Sequence, residues 1–399
     1  MCWTPASARP WTLVTVHKDM KQIVKRLISA VLSLVMALGL VLHGAPIEAA
    51  WASVVDEAKL AGRTPESLLG SEDDYLRDMD NGISKDPERV RQALDPYVPG
   101  IRAEDAVKAV VRGRNNWVIW SAGNDRLWDI LSRSSFGGLD LLKTLSSHAA
   151  LPNQRSNRWQ YLGLVNEPCF KQAKGPRADR YGLWLDERVQ SADCPADPFE
   201  DESTYPGVEI GARGKDGLPI GSYYGYASGV VGLRLFPNPA FDKEAQKKWD
   251  PVRYYNDASY YNDKDLVKPY RVGMSCAFCH VGPSPTNPPG DFNEPHWKNL
   301  SSNVGAQYFW VDRIIQHKPD QSSFIYQLLH TSRPGALDTS LVSSDQINNP
   351  RTMNAVYELP ARIKLAQTWG HERLSGGELN NKQFNDFIQP KDRKSTRLN

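Results

Sequence analysis

Residues Cys276-Ala277-Phe278-Cys279-His280 constrain this chain more than any other stretch. Side chains at positions i, i+3 and i+4 share one face of a helical turn. Two thiols and an imidazole at that spacing match covalent haem attachment. Each cysteine can form a thioether to one vinyl group while the histidine ligates the iron. The pattern predicts a short helix at 276–280 and haem c as cofactor. It assigns Cys276, Cys279 and His280 to cofactor binding, with His280 as the proximal metal ligand. Haem c is attached in an oxidising compartment, so the reading requires an export route.

Residues 20–52 supply one, reading as a secretory signal peptide. Lys21, Lys25 and Arg26 are its positive start. Leu27 to Leu42 are apolar apart from Ser29 and Ser33, and small residues follow at Ala45, Ala49, Ala50 and Ala52. The apolar run is about 16 residues, short of the ~20 that span a bilayer. A cleaved signal is therefore favoured over an N-terminal anchor. The expected location is periplasmic or secreted, with membrane contact through this segment alone. Met20 is the expected true start. At the other end, 391–399 is polar and patternless and reads as a non-native tail, with the natural chain continuing past it.

Residues 1–52 hold five basic and two acidic residues, leaving 43 basic against 44 acidic in the remainder. A near-neutral chain has no electrostatic footprint for nucleic acid. Of five cysteines, Cys2 precedes the expected start and two lie in the motif. Cys169 and Cys194 remain, and an even pair in an exported protein predicts a disulfide. Two rivals for the C-x-x-C pair are weaker. Structural zinc wants four ligands, and no second cysteine pair has finger or ribbon spacing. A thioredoxin-like redox pair expects a βαβ context, whereas proline- and tyrosine-rich stretches surround Cys276.

The expected fold is mainly α, with little β-structure. A loop-rich helical N-terminal region covers 53–230 and a cytochrome c-like haem domain covers 231–390. Thr64-Pro65 and Asp86-Pro87 look like helix starts. Ala103, Ala106, Val107, Val110 and Val111 mark one helical face, which Arg112 to Asn116 is expected to interrupt. Trp117, Trp120 and Trp128 fill core volume or form an aromatic wall near the haem or an apolar pocket. Leu139–Leu145 reads as a short helix. Tyr223–Leu235 reads as a small hairpin or an irregular covering layer. Tyr254, Tyr255, Tyr260 and Tyr261 read as half-buried packing, with iron ligation or carriage of an oxidising equivalent as the alternative. Ser301 to Asn303 can cap a helix through Val304, Tyr308, Val311 and Ile315, bringing Phe309 and Trp310 to the haem. Phe324–Leu329 reads as one more helix.

The second axial position decides what a haem does: methionine raises the potential, histidine lowers it, and an open position admits O2 or peroxide. Met353 is the first candidate, as a second metal ligand, 73 residues after His280. His296, His317, His330 and His371 are lesser candidates. Arg351 can pair with a haem propionate.

The segment Tyr270 to Pro283, with its motif, resembles a group of large exported cytochromes. Trp117–Trp128 and Phe136–His148 fit the same group. It is the di-haem family of bacterial cytochrome c peroxidases, MauG-like proteins and polyisoprene-cleaving rubber oxygenases, and the resemblance covers roughly residues 100–390. It implies two cytochrome c-like haem domains, one haem reacting with peroxide or O2 and one relaying electrons. Cys276 and Cys279 carry over as thioether cysteines and His280 as proximal ligand. A second C-x-x-C-H does not occur in these 399 residues. The leading expectation is electron transfer within an oxidoreductase system, with a redox protein or small-molecule oxidant as partner. The alternatives are a peroxidase or oxygenase acting on peroxide or an apolar substrate, and a haem-bearing interaction domain of a respiratory assembly.

Overall fold

The computed structural model describes residues 62, 71–134, 139–302, 308–310, 313–314, 372–374 and 377–379. The segment 20–52, the Thr64 start, the Phe324–Leu329 helix and the 391–399 tail lie outside them. Among the described residues, no helix is long and apolar enough to cross a membrane.

Short side-chain caps set most of the helices. In α1 (Pro87–Leu94), Asp86 accepts a hydrogen bond from the Arg89 N–H, and Pro87 takes the first position, where no N–H is needed. Helix α2 (Ala103–Val118) runs through the expected break at Arg112–Asn116. Its polar residues hold the neighbouring 71–84 segment. Arg114 pairs with Asp74 and donates to Ser84 Oγ, while Asn115 Nδ2 donates to the carbonyls of Ser71 and Asp73. A polar run here marks a buried clamp rather than a loop.

Helix α3 (Asp125–Ser134) follows, and α4 (Leu141–Leu145) is capped by Asp140. Helix α5 (Arg158–Leu162) ends at the left-handed Gly163. Three brief helices, α6 (Lys243–Lys248), α7 (Pro251–Asn256) and α8 (Ala258–Tyr261), each start from an aspartate cap, at Asp242, Asp250 and Asp257. The C-x-x-C-H motif forms α9 (Ala277–His280).

The mainly-α expectation is overturned. The described region is about 35% helix and 13% strand, with several antiparallel sheets. Strand β1 (Phe170–Lys171) pairs with β2 (Glu187–Arg188). The main sheet is antiparallel, ordered β3 (Tyr226–Ala227), β4 (Leu233–Pro237), β5 (Tyr270–Met274), with Leu235 opposite Val272. Two further pairs are β6 (Gly282–Pro283) with β7 (Leu300–Ser301), and β8 (Glu372–Leu374) with β9 (Gly377–Leu379).

Why the sheet hides from periodicity is physical. Every residue of β4 is buried, so polar and apolar positions do not alternate. Even Arg234 is buried. It pairs with Asp197 Oδ2 at 2.7 Å and donates to the Tyr224 and Gly225 carbonyls. Tyr223–Leu235 thus contributes a hairpin, but one at the centre of the core. Of the helix expected through Val304–Ile315, Tyr308–Trp310 are not helical while Arg313 and Ile314 are, and Ser301 belongs to β7.

Two apolar clusters make the core. One joins Leu142, Leu145, Leu185, Leu233, Leu235, Tyr254, Tyr255, Val272 and Phe278. The other joins Leu76, Met79, Val118, Phe199, Val231, Ala277 and Val281. Helix α9 contributes Ala277 to one cluster and Phe278 to the other, so the motif is wedged between them. Cys169 and Cys194 form the expected disulfide, with Cα atoms 5.4 Å apart.

Candidate haem-attachment site

Strand β5 delivers the chain directly into the motif. Its last residue, Met274, is held on both backbone atoms by one side chain. Asn124 Oδ1 accepts from Met274 N at 2.8 Å and Asn124 Nδ2 donates to Met274 O at 2.7 Å. Next, Ser275 N donates to Gly232 O at 2.8 Å, and Ser275 Oγ donates to the Val118 carbonyl at 2.7 Å. The start of the motif is therefore tied to β4, to the end of α2 and to the turn before α3.

Cys276 is already helical, with φ −58° and ψ −30°. His280 N donates to Cys276 O at 3.1 Å. Val281 leaves in an extended conformation, so the helix is one turn long. That turn is the geometry in which positions i, i+3 and i+4 share a face. Gly232, with φ +84°, lets β4 come this close. A Cβ there would lie 2.1 Å from the Phe278 nitrogen.

Cys276 is exposed and Cys279 half-buried, and both are free thiols while Cys169 and Cys194 are joined. Burial pushes the Cys279 thiol up to about 12, with the neighbouring Cys276 adding to the shift. Burial raises the Cys276 thiol as well. Both stay protonated at neutral pH, and a thiol closes a disulfide only through its thiolate. The pair is thereby slowed from bridging to itself.

His280 is buried, 8% exposed. The Trp117 indole lies against it, ring centroids 5.5 Å apart with 37° between the planes. Within the same turn, Phe278 meets Phe309 at 5.5 Å. Of the three tryptophans, Trp117 therefore abuts the motif. Trp128 packs on the cluster that includes Phe278 and Cys279. Trp120 is 38% exposed and donates Nε1–H to the Tyr223 hydroxyl at 3.0 Å.

The remaining candidates divide sharply. His296 is exposed and serves its own turn, accepting from the Asn299 backbone while Asn299 Oδ1 accepts from His296 N. Met353, Arg351, His317, His330 and His371 lie outside the described residues. Tyr254 and Tyr255 are fully buried rather than half-buried. Tyr254 donates to Asp140 Oδ2 at 2.9 Å, and Tyr255 shares a 2.8 Å bond with Ser146 Oγ. Among the described residues, no group of three or more His, Cys, Asp or Glu could hold a metal ion.

The positioning residues Asn124, Ser275 and Gly232 escape sequence reasoning. Each acts across a long loop, and none belongs to a recognisable pattern. Compared with family models, curated proteins and solved structures, the chain matches none.

The residues present fit a haem on two counts. Thiols and imidazole sit on one short turn, with the imidazole buried against aromatic surface. The Trp117 Nε1–H is also shut away from solvent, with no acceptor among the described residues. A buried N–H left unpaired costs about 1–3 kcal/mol, so this atom calls for a partner at the site.

Proposed function

We propose that the chain carries one haem c at this turn, in an exported compartment, and works in electron transfer within an oxidoreductase system. The observation that carries the reading is the single helical turn Cys276–His280. It leaves two unbridged thiols and a buried imidazole at i, i+3 and i+4. Cys276 and Cys279 would hold a haem by adding their S–H groups across its two vinyl C=C bonds, with no external oxidant needed, and His280 would ligate the iron.

When bound, the haem supplies one-electron chemistry. The chain's own contribution is orientation. Asn124, Ser275 and Gly232 fix where the turn begins, while Trp117 packs on its His280 and Phe309 on its Phe278. The export signal at 20–52 and the near-neutral charge of the remainder agree with a periplasmic or secreted carrier.

Acid–acetone extraction tests attachment. After expression with a haem-attachment system, the haem colour should stay with the protein. Cys276→Ala combined with Cys279→Ala should release it into the organic phase. Complete extraction from the unmodified protein would remove the reading.

A further inference from the structure

We infer that Trp117 Nε1–H donates a hydrogen bond to a carboxylate of the haem. This rests on the haem reading above and goes deeper into the same site. Indole nitrogen is a donor only, so an acceptor alone can satisfy it. Trp117 Nε1 has none among the described residues, although it is shut off from solvent. The neighbouring Trp120 has its own partner in Tyr223. One turn before Trp117 on α2, buried Arg114 keeps Nε and Nη1 without acceptors. Positions i and i+3 share a helix face, so this face of α2 carries donors in excess.

The face is fixed to the motif. Val118, next to Trp117, accepts from Ser275 Oγ, and the Trp117 ring rests on His280. Haem chemistry narrows the choice of acceptor. Thioether formation consumes both vinyl groups and the methyls are apolar. The two propionates are then the acceptors on the rim. A propionate is also anionic, which suits an edge rich in donors.

The test uses haem-loaded protein, with haem content measured by mass in every variant. Trp117→Phe keeps an aromatic ring and removes the N–H. The carboxylate then loses compensation for its charge, which favours ferric iron. The ferrous-to-ferric ratio at fixed potential should fall by about two- to threefold, a fraction of one charge-assisted bond, because the bond is made in both oxidation states. Trp117→His keeps a ring N–H and should restore most of the difference.

A second measurement needs no variant. In protein labelled with 15N-tryptophan, one indole N–H signal should show a downfield hydrogen-bond shift and move when the iron is oxidised. Haem present with an unchanged potential in Trp117→Phe, or with no such indole signal, overturns this inference alone. Absence of covalent haem from the unmodified protein overturns the underlying reading instead.

Discussion

Trp117 and His280 are separated by more than 160 residues in sequence, yet their rings pack 5.5 Å apart, centroid to centroid. The contact joins the most patterned helix of the first half to the cysteine turn. Ser275 Oγ–Val118 O at 2.7 Å and the double Asn124–Met274 bond lie on either side of it. The cysteine turn is therefore built by distant parts of the chain, and changes in those parts should be felt at the thiols.

Gly232 gives the sharpest case. Its φ of +84° is one that L side chains rarely adopt, and a Cβ would meet the Phe278 backbone at 2.1 Å. Gly232→Ala should destabilise the fold by roughly 2 kcal/mol or more. The urea midpoint checks the stability. Haem content checks the displacement of α9, and should fall further than stability alone explains.

Asn124→Ala removes both bonds to Met274. Leaving the Met274 N–H and C=O without these partners should cost about 1–3 kcal/mol. Thermal melting of the variant measures the loss. A melting temperature equal to that of the parent would show that the β5 end is held by other means.

Arg158 and Asp186 form a fully buried pair at 3.0 Å, both with 0% side-chain exposure. Arg158 also donates to the Leu145 carbonyl and to Asn166 Oδ1, and Ser147 Oγ donates to Asp186 Oδ1. Removing Arg158 leaves Asp186 with Arg155, 4.0 Å away, as its remaining counter-charge. Arg158→Ala should cost about 3–5 kcal/mol, read from denaturant unfolding.

Glu167 makes stability depend on pH. Burial pushes its carboxyl from 4.5 up to about 7. Arg188 and Arg234 oppose the shift, while Asp197 and Glu200 reinforce it. Three carboxylates face two guanidinium groups here, with Arg188 Nη2 at 3.8, 3.6 and 3.6 Å from Glu167, Asp197 and Glu200. Between about pH 4.5 and 7 the folded state keeps a proton that the unfolded chain has released. Stability from this group is full below that window and is lost as pH rises through it. The slope is at most about 1.4 kcal/mol per pH unit. Glu167→Gln should flatten that part of the curve in urea titrations at stepped pH.

How much was legible in the sequence follows from the range of each interaction. The cysteine turn, the Asp86 helix start, the short helix within Leu139–Leu145 and the Cys169–Cys194 bridge depend on neighbouring residues or on simple pairing. All four appear in the structure. The β3–β4–β5 sheet was not legible as a sheet, because β4 is buried throughout and pairs with a strand more than 30 residues away. The polar stretch 112–116 misled for a related reason. Arg114 and Asn115 are polar because they hold the 71–84 segment, and that partner is invisible from their own helix. Phe309 does reach the motif through Phe278, but from a non-helical segment.

The central claim is that Cys276 and Cys279 carry haem. The most direct measurement is the intact mass of the purified protein after expression with a haem-attachment system. It should equal the processed chain plus one haem, and lose that increment in the Cys276→Ala, Cys279→Ala double variant. A mass equal to the processed chain alone, with Cys276 and Cys279 recovered as free or mutually bridged thiols, would contradict the account.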